Sequence, residues 1–483
     1  MKKLAILITA VIFASCSSDL ESLNENIKDP LAVPGESLFT GAQKNLVDQV
    51  VDLNVNNNNT KLWAQYLQET TYTDESNYDQ VTRTIPAKHW SVMYKDVLKD
   101  LDEAKLVIEA TTYSTPELEA LKPNKLVIIE ILNVYTYANL VETFGDVPYS
   151  EALDADNLLP KYDDGETIYK DLVGRLTAAI NALDESTGSF GSADRIYEGD
   201  VVLWKKFAAS LKLRMGILLS DVDEAFAKTT VESAVATGVF TSNDDNAAYE
   251  YLGSDPNTNP VYDNLVLSGR NDFVAAATII DAMNTLDDPR LPLYFLPTSD
   301  GIYEGGGIGE PSSYSSYSHV SAQLEEATFP GIILDYSEVS FLLAEARARS
   351  FEVGGTAKEH YDAGITASIL DWGGTAADAA DYLAQPNVDY DLSILASTAT
   401  TPWKEVIGTQ KWIALYNRGL EAWTSIRLLD YPLMATTTDA VSGFPNRYTY
   451  PIIEQSLNGT NYSSAASAIG GDEAETQLFW DLN

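Results

Sequence analysis

Apolar side chains return every three to four positions along much of this chain, the spacing of helices that turn one face to a core. Between 87 and 110 they fall at Trp90, Met93, Tyr94, Val97, Leu98, Leu101, Ala104 and Ile108. The stretch 125–143 is apolar on nearly every side, with Leu126, Val127, Ile128, Ile129, Ile131, Leu132 and Val134, and reads as a helix buried between others. The same period recurs over 168–184, over 199–220 (Trp204, Phe207, Leu211, Met215, Leu218), and over 336–351, 359–371 and 403–428. Short turns rich in Gly, Pro and Asp join these helices in pairs. Small residues (Ala344, Ala346, Ala348; Ala363, Gly364, Ala367) stand where paired helices approach closely. The pattern predicts a mostly α protein, a tetratricopeptide-like scaffold of helical pairs.

The period fails over 240–330, which holds Asp255-Pro256, Gly269, Asp288-Pro289, glycines at 305, 306 and 307, and serines from 312 to 318 interleaved with Tyr314 and Tyr317. Only 272–285 keeps a helical rhythm there. The segments 373–402 and 432 onward are also read as loops. Long irregular segments on a stiff scaffold commonly face ligand.

The chain begins with Lys2 and Lys3, an apolar run over 4–13 broken only by Thr9, then Ala14, Ser15 and Cys16. That run fits a signal-peptide core of ~7–15 residues and falls short of the ~20 needed to span a bilayer. Cys16, the single cysteine, stands as in a bacterial lipobox, where the thiol is alkylated by diacylglycerol and becomes the mature N-terminus. Phe13 occupies the position where that motif prefers Leu, and Ser15 the one where Gly or Ala is commoner. The reading is a signal peptide over 1–15, a lipid-anchored tether over 16–35 and a helical domain over 36–483. Ser17-Ser18-Asp19-Leu20-Glu21 resembles the acidic tag that sends lipoproteins of the Bacteroidetes to the outer surface. An acylated Cys16 leaves no thiol for a disulfide, for catalysis or for metal, so stability must come from packing.

Charge narrows the functions further. Seventy-one acidic residues against 31 basic ones give a formal net charge of −40. Such a surface repels phosphate backbones and anionic lipid, which argues against nucleic acid and favours cationic groups if it favours any. Catalytic motifs are lacking: His89, His319 and His360 are far apart, and no metalloprotease, nucleophile-elbow or phosphate-loop pattern occurs. The run from Gly305 to Glu310 fails the dinucleotide fingerprint at its last position. Asp154-Ala155-Asp156-Asn157 and Asp244-Asp245-Asn246 carry oxygen ligands without the spacing of a helix–loop–helix calcium site. With this many acids, carboxylate pairs arise by chance and do not make a glycosidase. No cofactor or metal is expected.

Aromatic residues are the better lead, because the chain has 27 tyrosines and many lie outside the helical stripes. An exposed ring offers a flat apolar face to the C–H side of a pyranose, and a tyrosine hydroxyl can also hydrogen-bond. Two loop clusters combine rings with amide or charged groups: Tyr72, Asn77, Tyr78, Gln80 and Arg83 within 70–83, and Tyr303, Tyr314 and Tyr317 within 303–317. The competing reading has these tyrosines pack on the scaffold or on a partner.

Several segments, in order along nearly the whole mature chain, resemble the SusD/RagB family of outer-membrane lipoproteins. They are His89-Trp90-Ser91-Val92-Met93-Tyr94, Phe144-Gly145-Asp146-Val147-Pro148-Tyr149, Glu198-Gly199-Asp200 with Trp204-Lys205-Lys206-Phe207-Ala208 and Leu213-Arg214, and Asn271-Asp272-Phe273. Asp288-Pro289-Arg290, Ala344-Glu345-Ala346, Gln410-Lys411-Trp412, Glu421-Ala422-Trp423 with Arg427, Pro445-Asn446-Arg447 and Tyr450-Pro451 follow. Trp204, Trp412 and Trp423 lie on apolar faces and are expected in the core. Arg214 and Arg427 are expected to pair with buried carboxylates such as Glu345 or Asp146. The resemblance implies a non-enzymatic lipoprotein of the outer membrane that works with a SusC-like TonB-dependent transporter. It would close over the barrel's mouth like a lid and pass inward an oligosaccharide caught between the two. Family ligand sites use loop aromatics without a fixed motif. The same architecture binding oligopeptides is the first alternative, and an envelope glycoside hydrolase the second.

Overall fold

A computed structural model describes residues 33–437 and 439–482. The signal segment, Cys16 and most of the tether lie outside the described residues.

Helix α1 (Gly35–Val51) opens directly after Pro34 and buries Phe39, Ala42, Leu46, Val47 and Val50. Helix α2 is continuous in three parts: Ile85–Ser91, a π-helical stretch Val92–Leu98, and Lys99–Ala110. The all-round apolar stretch forms α3 (Lys122–Phe144) and ends on Gly145, whose φ of +88° suits glycine. His89 of α2 lies between α1 and α3, bonded to Gln49 (3.2 Å) and Asn139 (2.8 Å). Burial pushes its pKa down to about 4, so it is a neutral core histidine.

Then come α4 (Gly165–Ala182), α5 (Val201–Leu218), α6 (Glu224–Thr237), α7 (Ala277–Thr285), α8 (Tyr336–Ala348), α9 (Ala357–Asp371), α10 (Ala376–Leu383), α11 (Pro402–Ala414) and α12 (Gly419–Leu429). Neighbours pack as pairs: α1 with α2, α3 with α4, α5 with α6, α8 with α9, and α11 with α12. Contacts of α4 with α5, of α5 with α8, and of α9 with α11 join the pairs into one tetratricopeptide-like stack. Trp204, Trp412 and Trp423 are fully enclosed, as the apolar period requires.

Several expected helix bounds need correction, and the helical rhythm read over 272–285 holds only from Ala277, because Phe273–Ala275 is a strand. The period over 403–428 runs through a break, because Leu415 to Arg418 leave the helix and Asn417 takes a left-handed φ of +68°. The 373–402 loop contains α10 and a short helix, Tyr390–Ala396. The segment after 432 contains Ile452–Leu457 and Gly459–Ala468.

Strands are short and form two-stranded antiparallel ribbons. β1 (Leu67–Glu69) pairs with β5 (Phe273–Ala275), with Leu67 opposite Ala275 and Glu69 opposite Phe273. β2 (Val147–Pro148) pairs with β3 (Tyr162–Asp163), β4 (Ala247–Tyr249) with β8 (Gly331–Leu334), and β6 (Phe295–Leu296) with β7 (His319–Val320).

Buried charge locks the stack. Arg214 of α5 pairs with Glu338 of α8 (2.7 Å), not with Glu345 or Asp146. Arg418, from the helix break, reaches the same Glu338 (2.5 Å) and Asp335 (2.9 Å). Glu345 instead takes Arg349 (3.0 Å), and Asp146 accepts the Gly165 N–H (2.9 Å). Arg427 lies over the rings of Trp423 (3.6 Å) and Trp480 (4.6 Å) and donates to the carbonyls of Glu142 and Asn446. Stacked rings, carbonyl oxygens and the attraction of the Asp481 and Glu142 carboxylates together hold Arg427 in the core.

Candidate functional site

The irregular segments are knitted together rather than loose. β1 presents Gln68, whose amide donates to the Glu310 carbonyl (3.0 Å) and accepts the Gly309 N–H (3.1 Å). Asn77 donates to the Gly309 carbonyl (2.8 Å) and accepts from the Thr437 hydroxyl (2.6 Å), while its own carbonyl accepts the Val441 N–H (3.0 Å). One side chain therefore joins the 70–83, 303–317 and 432–441 segments. Gly309 has φ +75°, and a Cβ there would stand 2.5 Å from the Asn77 Oδ1. The glycine run has a similar cause: a Cβ on Gly305 would meet the Ala276 carbonyl at 2.5 Å. That close approach lets Gly306 donate to Ala275 (2.8 Å) and accept from Ala277 (2.9 Å), laying the segment along β5.

Of the residues singled out from the sequence, Asn77 and Tyr78 are both only 5% exposed. Tyr78 packs edge-on against Phe444 at 5.9 Å, and Gln80 is spent on the Arg447 carbonyl and the Thr449 N–H, each at 3.0 Å. These three hold the loop. Arg83 is half-buried and ion-paired to the buried Glu75. Glu75 stands against Glu69, and burial together with this second carboxyl pushes the Glu69 pKa well above the carboxylate range. Glu69 also accepts the N–H (3.0 Å) and hydroxyl (2.8 Å) of Ser76.

The rings remain as the outward-facing elements. Tyr72 is 64% exposed and lies near Arg270, which is itself paired with Asp272 at 2.5 Å. Tyr303, Tyr314 and Tyr317 are half-exposed. Mutual hydrogen bonding of Glu304 and Ser318 draws Tyr303 and Tyr317 onto adjacent strands of backbone. Tyr314 stacks on His319 with centroids 3.8 Å apart and planes 13° from parallel, and the His319 Nε2 lies 2.5 Å from the Tyr314 carbonyl. His319 escaped notice in the sequence because it looked like an isolated histidine; its ring fixes that of Tyr314. Among the described residues, no group of three His, Cys, Asp or Glu could hold a metal ion, and no helix is long and apolar enough to cross a membrane.

A stack of paired helices carrying knitted loops with half-exposed rings defines a tetratricopeptide-like binding scaffold. Residues 27–451 match the SusD-like family, described as starch-binding and associating with the outer membrane, and the chain belongs to that family. Solved relatives agree. A chitin-binding protein is 26% identical over 93% of this chain and 100% of its own, with a TM-score of 0.79. A SusD homologue from Bacteroides uniformis is 27% identical over 92% and 99%, with a TM-score of 0.76. A chitin-binding SusD homologue from Flavobacterium johnsoniae is 25% identical over 93% and 96%, with a TM-score of 0.75. No curated protein matches.

Proposed function

We propose that this protein is a cell-surface lipoprotein, anchored through Cys16, that captures an oligosaccharide and delivers it to a SusC-like TonB-dependent transporter without chemical change. Ligand rests on Tyr72, Tyr303, Tyr314 and Tyr317, whose faces take the C–H surface of sugar rings while hydroxyls and Arg270 read the oxygens. The observation that carries this reading is the set of exposed and half-exposed rings on loops joined by the buried Asn77, with the half-buried His319 stacked on Tyr314. Membership of a family described as starch-binding, and two chitin-binding relatives, support a glycan as the ligand. The work of import falls to the transporter, so this subunit needs only a difference in affinity between its open and closed states.

A glycan panel with the purified soluble protein tests the proposal. The Tyr72→Ala/Tyr314→Ala double variant is expected to weaken binding about five- to 150-fold, at roughly 0.5–1.5 kcal/mol per ring, with melting nearly unchanged. Normal binding by a folded double variant would remove these rings from the site. Hydrolysis of a panel member, or binding of a mixed peptide pool in preference to every glycan, would overturn the wider reading.

A further inference from the structure

The break between α11 and α12 leaves Asn417 and Arg418 lining a cavity of about 500 Å³, built from elements other than the tyrosine-bearing loops. Its remaining walls come from the end of α1, the 243–248 stretch through β4, the 323–335 stretch through β8, and the end of α9. That volume is typical of a small-ligand pocket. Phe329 and Trp372, with ring centroids 5.7 Å apart, supply an apolar side.

The polar side is unbalanced. Arg418 spends its charge on Asp335 and Glu338. Asp371 and Asp244 also line the cavity, and among the described residues neither forms an ion pair; Asp371 is held only by the Asn246 amide at 3.1 Å. Asp371 is reached by solvent at the cavity mouth yet crowded by protein, and this desolvation together with Asp335 pushes its pKa up to about 7 against the pull of Arg418. Asp245 in the same turn is already taken by Lys206 at 2.7 Å.

We propose that this cavity is a second binding site, specific for a protonated amino sugar. An ammonium group supplies the cation that Asp371 and Asp244 lack. The C–H face of the sugar ring lies along Phe329 and Trp372. Asp244-Asp245-Asn246, which stood out in the sequence as an oxygen-rich turn, thereby serves an organic cation, and the strongly negative surface favours its approach.

Calorimetry with D-glucosamine and N-acetyl-D-glucosamine near neutral pH tests this on the soluble full domain. Glucosamine is expected to bind at least tenfold more tightly than its neutral N-acetyl form. Asp371→Asn should lower that affinity at least tenfold, and Asp244→Asn should weaken it as well. Tyr72→Ala/Tyr314→Ala should leave glucosamine binding intact, which separates this site from the tyrosine face. Should Asp371→Asn melt abnormally, Asp244→Asn decides. Failure of wild-type protein to bind glucosamine, equal affinity for the two sugars, or undiminished binding by a natively folded Asp371→Asn or Asp244→Asn variant would each overturn the proposal.

Discussion

At the scale of single residues, buried charge sets the character of this protein. Burial alone would raise the Glu338 carboxyl, but the guanidinium groups of Arg214 and Arg418 overcome it and hold the pKa at about 2. Because the folded value lies below the unfolded one, this carboxylate stabilises the fold above roughly pH 4.5, and that contribution fades as pH falls toward 2. Glu338→Ala is expected to cost about 3–5 kcal/mol at pH 7 in chemical denaturation, since it strands two arginines. Glu69 has the opposite sign. Its raised pKa means that ionisation, free in the unfolded chain, is resisted in the fold, so stability is lost as pH climbs above the ordinary carboxylate range. Glu69→Gln mimics the protonated acid, and its melting temperature should exceed that of wild type at pH 8 by an amount that shrinks toward pH 5. Residue roles were only partly legible. That Arg214 needed a buried acid followed from its apolar helix; that the acid is Glu338 depends on how α5 meets α8, which no local pattern encodes. Tyr72 and Tyr78 look alike in the sequence, yet one is exposed and the other enclosed, because loops carry no period that tells inward from outward.

Among the elements, the long helices were read well because their apolar stripes are dense. The 125–143 stretch became Lys122–Phe144 with only small shifts at its ends. Where the pattern misled, a single backbone position intervened. Apolar spacing continues through 415–418, so nothing in it announces that Asn417 turns left-handed and splits the helix. Asn is among the few side chains that tolerate that region; Asn417→Gly should be nearly neutral, whereas Asn417→Val should cost about 1–2 kcal/mol by thermal melting. Helices α9 and α10 each begin with a capping box, Thr356 with Glu359 and Thr375 with Asp378. Thr356→Ala should lose about 1 kcal/mol, and the loss should appear first as faster amide exchange in the opening turn of α9. The Thr375 box was the one available sign that 373–402 is partly helical, and its short apolar pattern hid it.

For the whole molecule, the proposed function divides stiffness and recognition between the stacked pairs and the knitted loops. The stack could be foreseen because helical pairing is local. The face built on β1 and β5 could not, since its strands are three residues each and lie some two hundred positions apart in the chain. The same holds for the cavity at the helix break, whose walls come from five separate stretches. If the delivery role proposed above is right, a strain lacking the partner transporter should still bind oligosaccharide at its surface but fail to accumulate it, a comparison that labelled glycan uptake can make.

Asn77 has a mechanical consequence. Since one residue bolts three distant stretches of chain to each other, the proposed recognition surface should flex as a plate, not as separate fingers. Pressure from a sugar on one edge should then be felt at the far edge, and removing two rings on different stretches should change affinity by other than the sum of the single losses. Loosening the bolt with Asn77→Ala should bring those paired losses back toward simple addition.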